Sequence, residues 1–161
     1  MVREGREISG SSAVCLLGVR AGALLACAAA RDSSNVQRLV LWDPISNGAG
    51  YLQVLRRIQA MMLQQNFYLS RAERREATHE YAGYSISKRM VEEFHLLDAS
   101  VYSSVPKGAL HVVSTSSKTG FPVAGVPQDV VPFRCDWDTA AQELIMSRPV
   151  LERLIACLTR S

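Results

Sequence analysis

The segment that most constrains this chain is 13–42. It opens with a short continuous apolar run at 13–18, "AVCLLG", passes through Val19 and Arg20, continues as "AGALLACAAAR" over 21–31, and closes on a second apolar run at 38–42, "RLVLW". A short apolar run ending in glycine suits a strand buried on both faces. Alanine and leucine make the middle segment a helix, and Asp32-Ser33-Ser34-Asn35 behind it is a turn cluster. Asp43-Pro44 stops the second run. Strand, helix and strand with short connections form a βαβ unit, whose strands run parallel. A chain of 161 residues, 48% apolar and 20% charged, supports one domain with a core around such a unit.

The rest of the chain adds helices before it adds strands. Over 51–67, Leu52, Leu55, Ile58 and Met62 fall on one face and Arg56 and Arg57 off it, the pattern of an amphipathic helix. Ser70-Arg71-Ala72-Glu73 fits a capping box, and Gly83-Tyr84 breaks what it starts. Ser87 caps a helix over 88–97 with the stripe Met90, Val91, Phe94 and Leu97. A third strand is expected at 109–114, a Gly- and Pro-rich loop at 116–129, and a fourth strand at 130–133. Pro132 places that last strand near an edge. Ser147, Pro149 and the stripe Val150, Leu151, Leu154, Ile155 and Leu158 make a capped terminal helix. The expected class is α/β: the C-terminal half of a doubly wound, mainly parallel sheet with flanking helices and a helical cap over about 48–98.

Charge and cysteine content narrow the partners. The net charge is +3, and the arginines and lysines of 56–89 are interleaved with Glu73, Glu76, Glu92 and Glu93. That mixture describes solvated helix faces. A nucleic-acid groove needs a denser stripe of one sign with interleaved aromatics, so no nucleic acid is expected. Cys15, Cys27, Cys135 and Cys157 form no C-x-x-C, and none has a histidine at metal-ligand spacing, so neither a metal nor a cofactor is implied. Cys15, Cys27 and Cys157 lie in apolar periodic segments and are expected as buried thiols, which fits a reducing, cytoplasmic compartment. Arg3, Arg6 and the apolar run from Ala13 imitate a secretory leader. Arg20 argues against it, because a charge at the centre of an inserted apolar helix costs about 2.5–3.5 kcal/mol. No stretch of 18 residues is free of charge, so no membrane span is expected.

Gly18 and Gly22 frame Arg20 as G-x-S-x-G frames a catalytic serine. In that motif small residues two before and two after the centre let a strand turn sharply into a helix, and the turn aims backbone N–H groups at an anion. Arginine carries donors and no acceptor, so it cannot form an acyl intermediate. It can hold a carboxylate or phosphate through a bidentate pair.

"LLGVRAGALLACAAA", "RLVLWDPISNGAGYLQVLRRIQAMM" and "AGYSISKRMVEEFHLLD" together resemble the α/β-hydrolase-like proteins associated with bacterial exosortase A systems, closest to the hydrolase 2 subgroup. That subgroup shows Gly-Leu-Arg-Leu-Gly at the elbow, a Leu-Trp-x-Pro strand end and a Gly-Tyr-x-x-Ser cap segment. The match covers about 13–98 well and the last third loosely. The resemblance implies a setting of exopolysaccharide production and surface-protein sorting. It also implies several strands ahead of the elbow strand, with the loop that gives one oxyanion-hole N–H. Here the elbow strand begins within the first fifteen residues, so it is expected to present an open edge.

Two readings of Arg20 follow. In one, Gly18, Arg20, Ala21, Gly22 and Asp43 bind an anion or an anionic part of a partner. In the other, Arg20 and Asp43 sit at the ends of neighbouring strands about 4.8 Å apart and form an internal ion pair. A ligand competing for the guanidinium reconciles them. Asp43 as a triad acid would need a histidine, and Phe133-Arg134-Cys135-Asp136-Trp137-Asp138, where the family's histidine would fall, contains none. His79 and His95 read as surface residues and His111 as a satisfied core or edge histidine. Ser9, Ser11, Ser12 and Ser114 to Ser117 read as turns, Asp136 and Asp138 as helix caps, and Cys15 as a buried, poor nucleophile. The expected function is therefore a catalytically degenerate hydrolase-like domain that binds an anionic small molecule or a protein partner. A serine-type hydrolase or acyltransferase completed by further N-terminal strands is the alternative, and self-association through the open edge a third.

Overall fold

The segment 13–42 folds as β1 (Val14–Val19), α1 (Ala21–Arg31) and β2 (Val36–Trp42), and the two strands pair in parallel with Val19 opposite Trp42. This is a computed structural model, which describes residues 4, 7, 8, 10, 11, 13–31, 33, 35–115, 121–133, 137 and 147–159. After β2 come α2 (Gly48–Gln65), α3 (Arg71–Ala77), α4 (Lys88–His95) and the one-turn α5 (Ser100–Ser103). β3 (Leu110–Ser114), β4 (Gln128–Val130) and α6 (Arg148–Thr159) complete the chain. The strands form one parallel sheet in the order β1-β2-β3-β4.

Side chains alternate across a strand, so the register sorts them into two faces. Leu16, Gly18, Leu39, Leu41 and Val112 share the face on which α1 packs. Cys15, Leu17, Arg38, Val40, His111, Val113 and Asp129 share the other face, which α6 covers over β2 and β3. The Arg38 guanidinium ties that second face to the end of α6 by donating to the Cys157 carbonyl at 2.8 Å. With a helix on each side, Leu39, Val40, Leu41, Val112 and Val113 are fully buried. Each such side chain stabilises the fold by about 1.5–3 kcal/mol relative to exposure. Leu24 and Cys27 of α1 and Val150, Leu154 and Cys157 of α6 complete the two apolar layers.

Two strand expectations are corrected. β1 is not buried on both faces: it lies at one edge of the sheet, Cys15 is exposed and Leu17 keeps 45% of its surface. The reason is position: α6 packs over β2 and β3, and only its last turn comes near β1, where the Leu158 carbonyl lies 3.9 Å from the Cys15 sulfur. The fourth strand is Gln128–Val130 rather than 130–133. The Val131 N–H still donates to the Ser114 carbonyl at 2.8 Å, and Pro132, which has no N–H to give, ends the ladder there. β4 is the other edge.

The chain divides into two compact units, one holding the sheet with α1, α5 and α6 and the other holding Asn47–Leu97. In the second unit Asn47 caps α2 by accepting from the Gly50 N–H at 2.6 Å. Ser70 and Glu73 form a full capping box on α3, and Ser87 caps α4 through the Met90 N–H. Leu52, Ile58 and Phe94 are its buried stripe, while Met62 and Met90 are exposed. Gln59 is buried although it is polar. Its amide nitrogen donates to the Ala77 carbonyl at 2.8 Å and its amide oxygen accepts from the Gly83 N–H at 2.6 Å, so one side chain fastens α2 to the end of α3 and the turn behind it. Gly83 itself has φ of +83°, the left-handed backbone that glycine adopts without strain. No helix among the described residues is long and apolar enough to cross a membrane.

Candidate functional site

Arg20 is the first residue past β1, and its backbone is left-handed with φ of 51°. Such a conformation costs a non-glycine residue about 1–3 kcal/mol and persists only where its surroundings hold it. They do so here from two sides. The Arg20 N–H donates to the Trp42 carbonyl at 3.0 Å, which extends the β1–β2 ladder by one rung, and the Arg20 carbonyl accepts from the Ala23 N–H at 3.0 Å, which starts the helix. The chain thus goes from strand to helix in a single residue.

The two framing glycines have different roles. A β-carbon on Gly18 would lie 2.6 Å from the Ala23 Cα and 2.9 Å from the Gly22 carbonyl oxygen, so the missing side chain is what lets α1 fold back against the strand. A β-carbon on Gly22 would meet nothing within 4 Å, so the expectation that both glycines are needed for the bend holds for Gly18 alone. Ala21 is buried as the first residue of α1. The α1 N-terminus, the positive end of its helix dipole, follows directly on Arg20.

Asp43 repeats the geometry one strand over. It is the first residue past β2, has φ of 43°, and donates its N–H to the Val113 carbonyl at 2.9 Å. Aspartate tolerates this backbone better than arginine does. Its carboxylate accepts the Thr115 N–H at 2.7 Å through one oxygen and the Thr115 hydroxyl through the other. Thr115 is in turn the first residue past β3 and is buried. Arg20, Asp43 and Thr115 therefore occupy equivalent positions at the carboxyl ends of three adjacent strands, the end at which open α/β sheets bind ligands. Arg20 and Asp43 are both half-buried. The sequence points to Arg20 and Asp43 and misses Thr115, although the position just after an apolar run was the available signal.

The remaining candidates separate. His79 and His95 are exposed. His111 is half-buried on β3 and its Nε2 lies 2.8 Å from Asp129 Oδ2. Ser114 is buried and its hydroxyl accepts from the Gln128 amide at 3.0 Å, and Ser11 donates to the Ala13 carbonyl at 2.7 Å in a local turn. Ser9, Ser12, Ser116, Ser117, Arg134, Cys135, Asp136 and Asp138 lie outside the described residues.

Cysteine burial is corrected at one position. Cys27 and Cys157 are buried, but Cys15 is exposed on edge strand β1, with its sulfur 3.9 Å from the Leu158 carbonyl. Burial pushes the Cys27 thiol up to about 12, far from the thiolate that alkylation requires. Brief iodoacetamide treatment of the native protein, read by peptide mass spectrometry, is expected to modify Cys15 and leave Cys27 intact. Denaturant should make both react.

A second polar cluster, legible in no sequence spacing, gathers around Asp129. His111, Asp129 and Cys157 place one donor atom each within 4.8 Å of the others, and the Arg153 guanidinium lies 3.4 Å from Asp129 Oδ2. Burial works against the Asp129 charge, but the hydrogen bond and charge of His111, the charge of Arg153 and the Cys157 thiol together hold its carboxyl below the usual carboxylate range. The residues stand at 111, 129 and 157, and only the pairing of β3 with β4 under α6 brings them together.

Comparison with family models, with curated proteins and with solved structures gives no match for this chain.

Proposed function

We infer that this chain is an α/β-hydrolase-like domain whose elbow has lost acyl chemistry and binds an anionic group, a carboxylate or phosphate. Arg20 and the α1 N-terminus provide the donors. The observation that carries the reading is the left-handed Arg20 at a one-residue strand-to-helix bend with Gly18 packed beneath it. Strain of this kind collects at positions where a side chain must be presented at a fixed angle. The all-parallel sheet in sequence order, with a helical unit between β2 and β3, supports the hydrolase-like part. Asp43, whose two oxygens both accept from Thr115, acts as a brace across the strand ends rather than as the acid of a triad. The exosortase and exopolysaccharide setting, with the helical unit as a cap, is supported by the sequence resemblance.

The test has two arms. A fluorophosphonate probe is expected to leave every serine unlabelled, and short acyl esters should not turn over. Titration with inorganic phosphate is expected to show saturable binding that Arg20→Gln weakens about tenfold or more, the worth of one charge-assisted hydrogen bond. Stoichiometric labelling of a single serine would restore the active-hydrolase alternative. Phosphate binding that ignores Arg20→Gln would remove the anion site.

A further inference from the structure

We propose that His111, Asp129 and Cys157 form a binding site for one divalent cation of the zinc class, held between β3, β4 and α6. The site is separate from Arg20 and rests on neither the elbow nor the resemblance. His111 is the second residue of β3, Asp129 the central residue of β4, and Cys157 lies in the last turn of α6. Register places His111 and Asp129 on the same face of the sheet, the one α6 covers. Nε2 of His111 is 2.8 Å and Sγ of Cys157 is 3.6 Å from Asp129 Oδ2, and all three donor atoms lie within 4.8 Å. Ligand atoms around a tetrahedral zinc ion stand about 3.3–3.7 Å apart. The sulfur-to-oxygen edge already has that length, and the histidine-to-carboxylate edge needs to open by less than one ångström.

The donor chemistry selects the metal. One imidazole nitrogen, one carboxylate oxygen and one sulfur suit zinc or cobalt(II) rather than calcium or magnesium, which take oxygen ligands. A thiolate and a carboxylate together match the charge of a dication. The present arrangement loads one oxygen heavily, since Asp129 Oδ2 faces His111, the Cys157 thiol and Arg153 at once. Binding would replace the His111 and Cys157 contacts with coordination and leave Arg153 on the carboxylate. The Cys157 proton leaves to solvent, His111 coordinates through Nε2 with a proton kept on Nδ1, and no electron is transferred, so each ion releases the thiol proton and any proton that Nε2 carried as part of an imidazolium. The supports are also in place. Arg38 pins the last turn of α6 through the Cys157 carbonyl, and Arg153, one turn before Cys157, steers the Asp129 carboxylate. The His111 and Asp129 side chains keep 14% and 24% of their surface while Cys157 is buried, so an ion can reach the cluster from the His111–Asp129 side.

The experiment is a cobalt(II) titration of the reduced, chelator-treated full chain. One equivalent is expected to produce a thiolate-to-cobalt charge-transfer band in the near ultraviolet with intense visible bands of four-coordinate cobalt, and zinc should abolish both by displacement. Cys157→Ala should remove the charge-transfer band. His111→Asn, at a partly exposed position, should weaken zinc binding at least about tenfold while circular dichroism remains that of the parent. Cys15→Ser should change nothing. The site is refuted if no saturable band forms, if the band survives Cys157→Ala, or if folded His111→Asn binds zinc as the parent does. A failure here would leave phosphate binding at Arg20 untouched, and the reverse also holds.

Discussion

Gly18→Ala is expected to destabilise the protein by about 3 kcal/mol or more, whereas Gly22→Ala is neutral or stabilises it by up to about 1 kcal/mol. The two glycines look equivalent in the motif, and the fold separates them. At Gly18 an added methyl meets the Ala23 Cα at 2.6 Å and the Gly22 carbonyl oxygen at 2.9 Å. Both are backbone atoms of α1, so no rotamer change relieves the overlap, and α1 must lift from β1 and β2. At Gly22 the methyl enters open space on an ordinary helical residue and reduces the freedom of the unfolded chain. Urea denaturation followed by far-ultraviolet circular dichroism measures both. The Gly18 variant should also bind phosphate more weakly, because lifting α1 moves its N-terminus away from Arg20. Equal effects of the two substitutions would mean that the bend is not packed as described.

Gly48→Ala should cost the helical unit about as much. A β-carbon there would fall on the Phe94 carbonyl oxygen and lie 2.9 Å from its carbonyl carbon, at the point where the start of α2 meets the end of α4. The Gly48 N–H also donates to the Leu97 carbonyl at 2.8 Å, so separating the two segments breaks a hydrogen bond as well as the packing around buried Phe94. Amide hydrogen exchange is the measurement of choice, with loss of protection expected in α2 and α4. Gly108→Ala, where a methyl meets nothing within 4 Å, is the matched control and should shift stability by less than about 0.5 kcal/mol. Unchanged exchange in the Gly48 variant would show that the α2–α4 contact is looser than drawn.

The exposed edge shows how far a pattern carries. "VCLL" in β1 and "LVLW" in β2 are equally apolar, and both read as buried strands. Leu39, Val40 and Leu41 are buried because β2 has a strand on each side and a helix on each face, while Leu17, with the same residue chemistry, is 45% exposed at the edge. Hydrophobic periodicity reports that a strand forms; which neighbours it acquires depends on contacts between residues far apart in the chain. The same limit explains Gln59, whose polarity marks it as a surface residue until the backbone groups of Ala77 and Gly83 converge on it.

Local chemistry alone determined the βαβ unit, the parallel pairing, the caps at Ser70 and Ser87 and the bend at Arg20. The caps depend on residues three positions apart, and the βαβ unit with its bend lies within one short stretch, 13–42, where propensity and short connections act directly. Tertiary structure decided which face of β1 stays open, that Asp43 is held by Thr115 across 72 positions, and that His111, Asp129 and Cys157 meet. Those contacts arise from strand register and from the seating of α6, and chain closure over such distances leaves no periodic trace in the sequence.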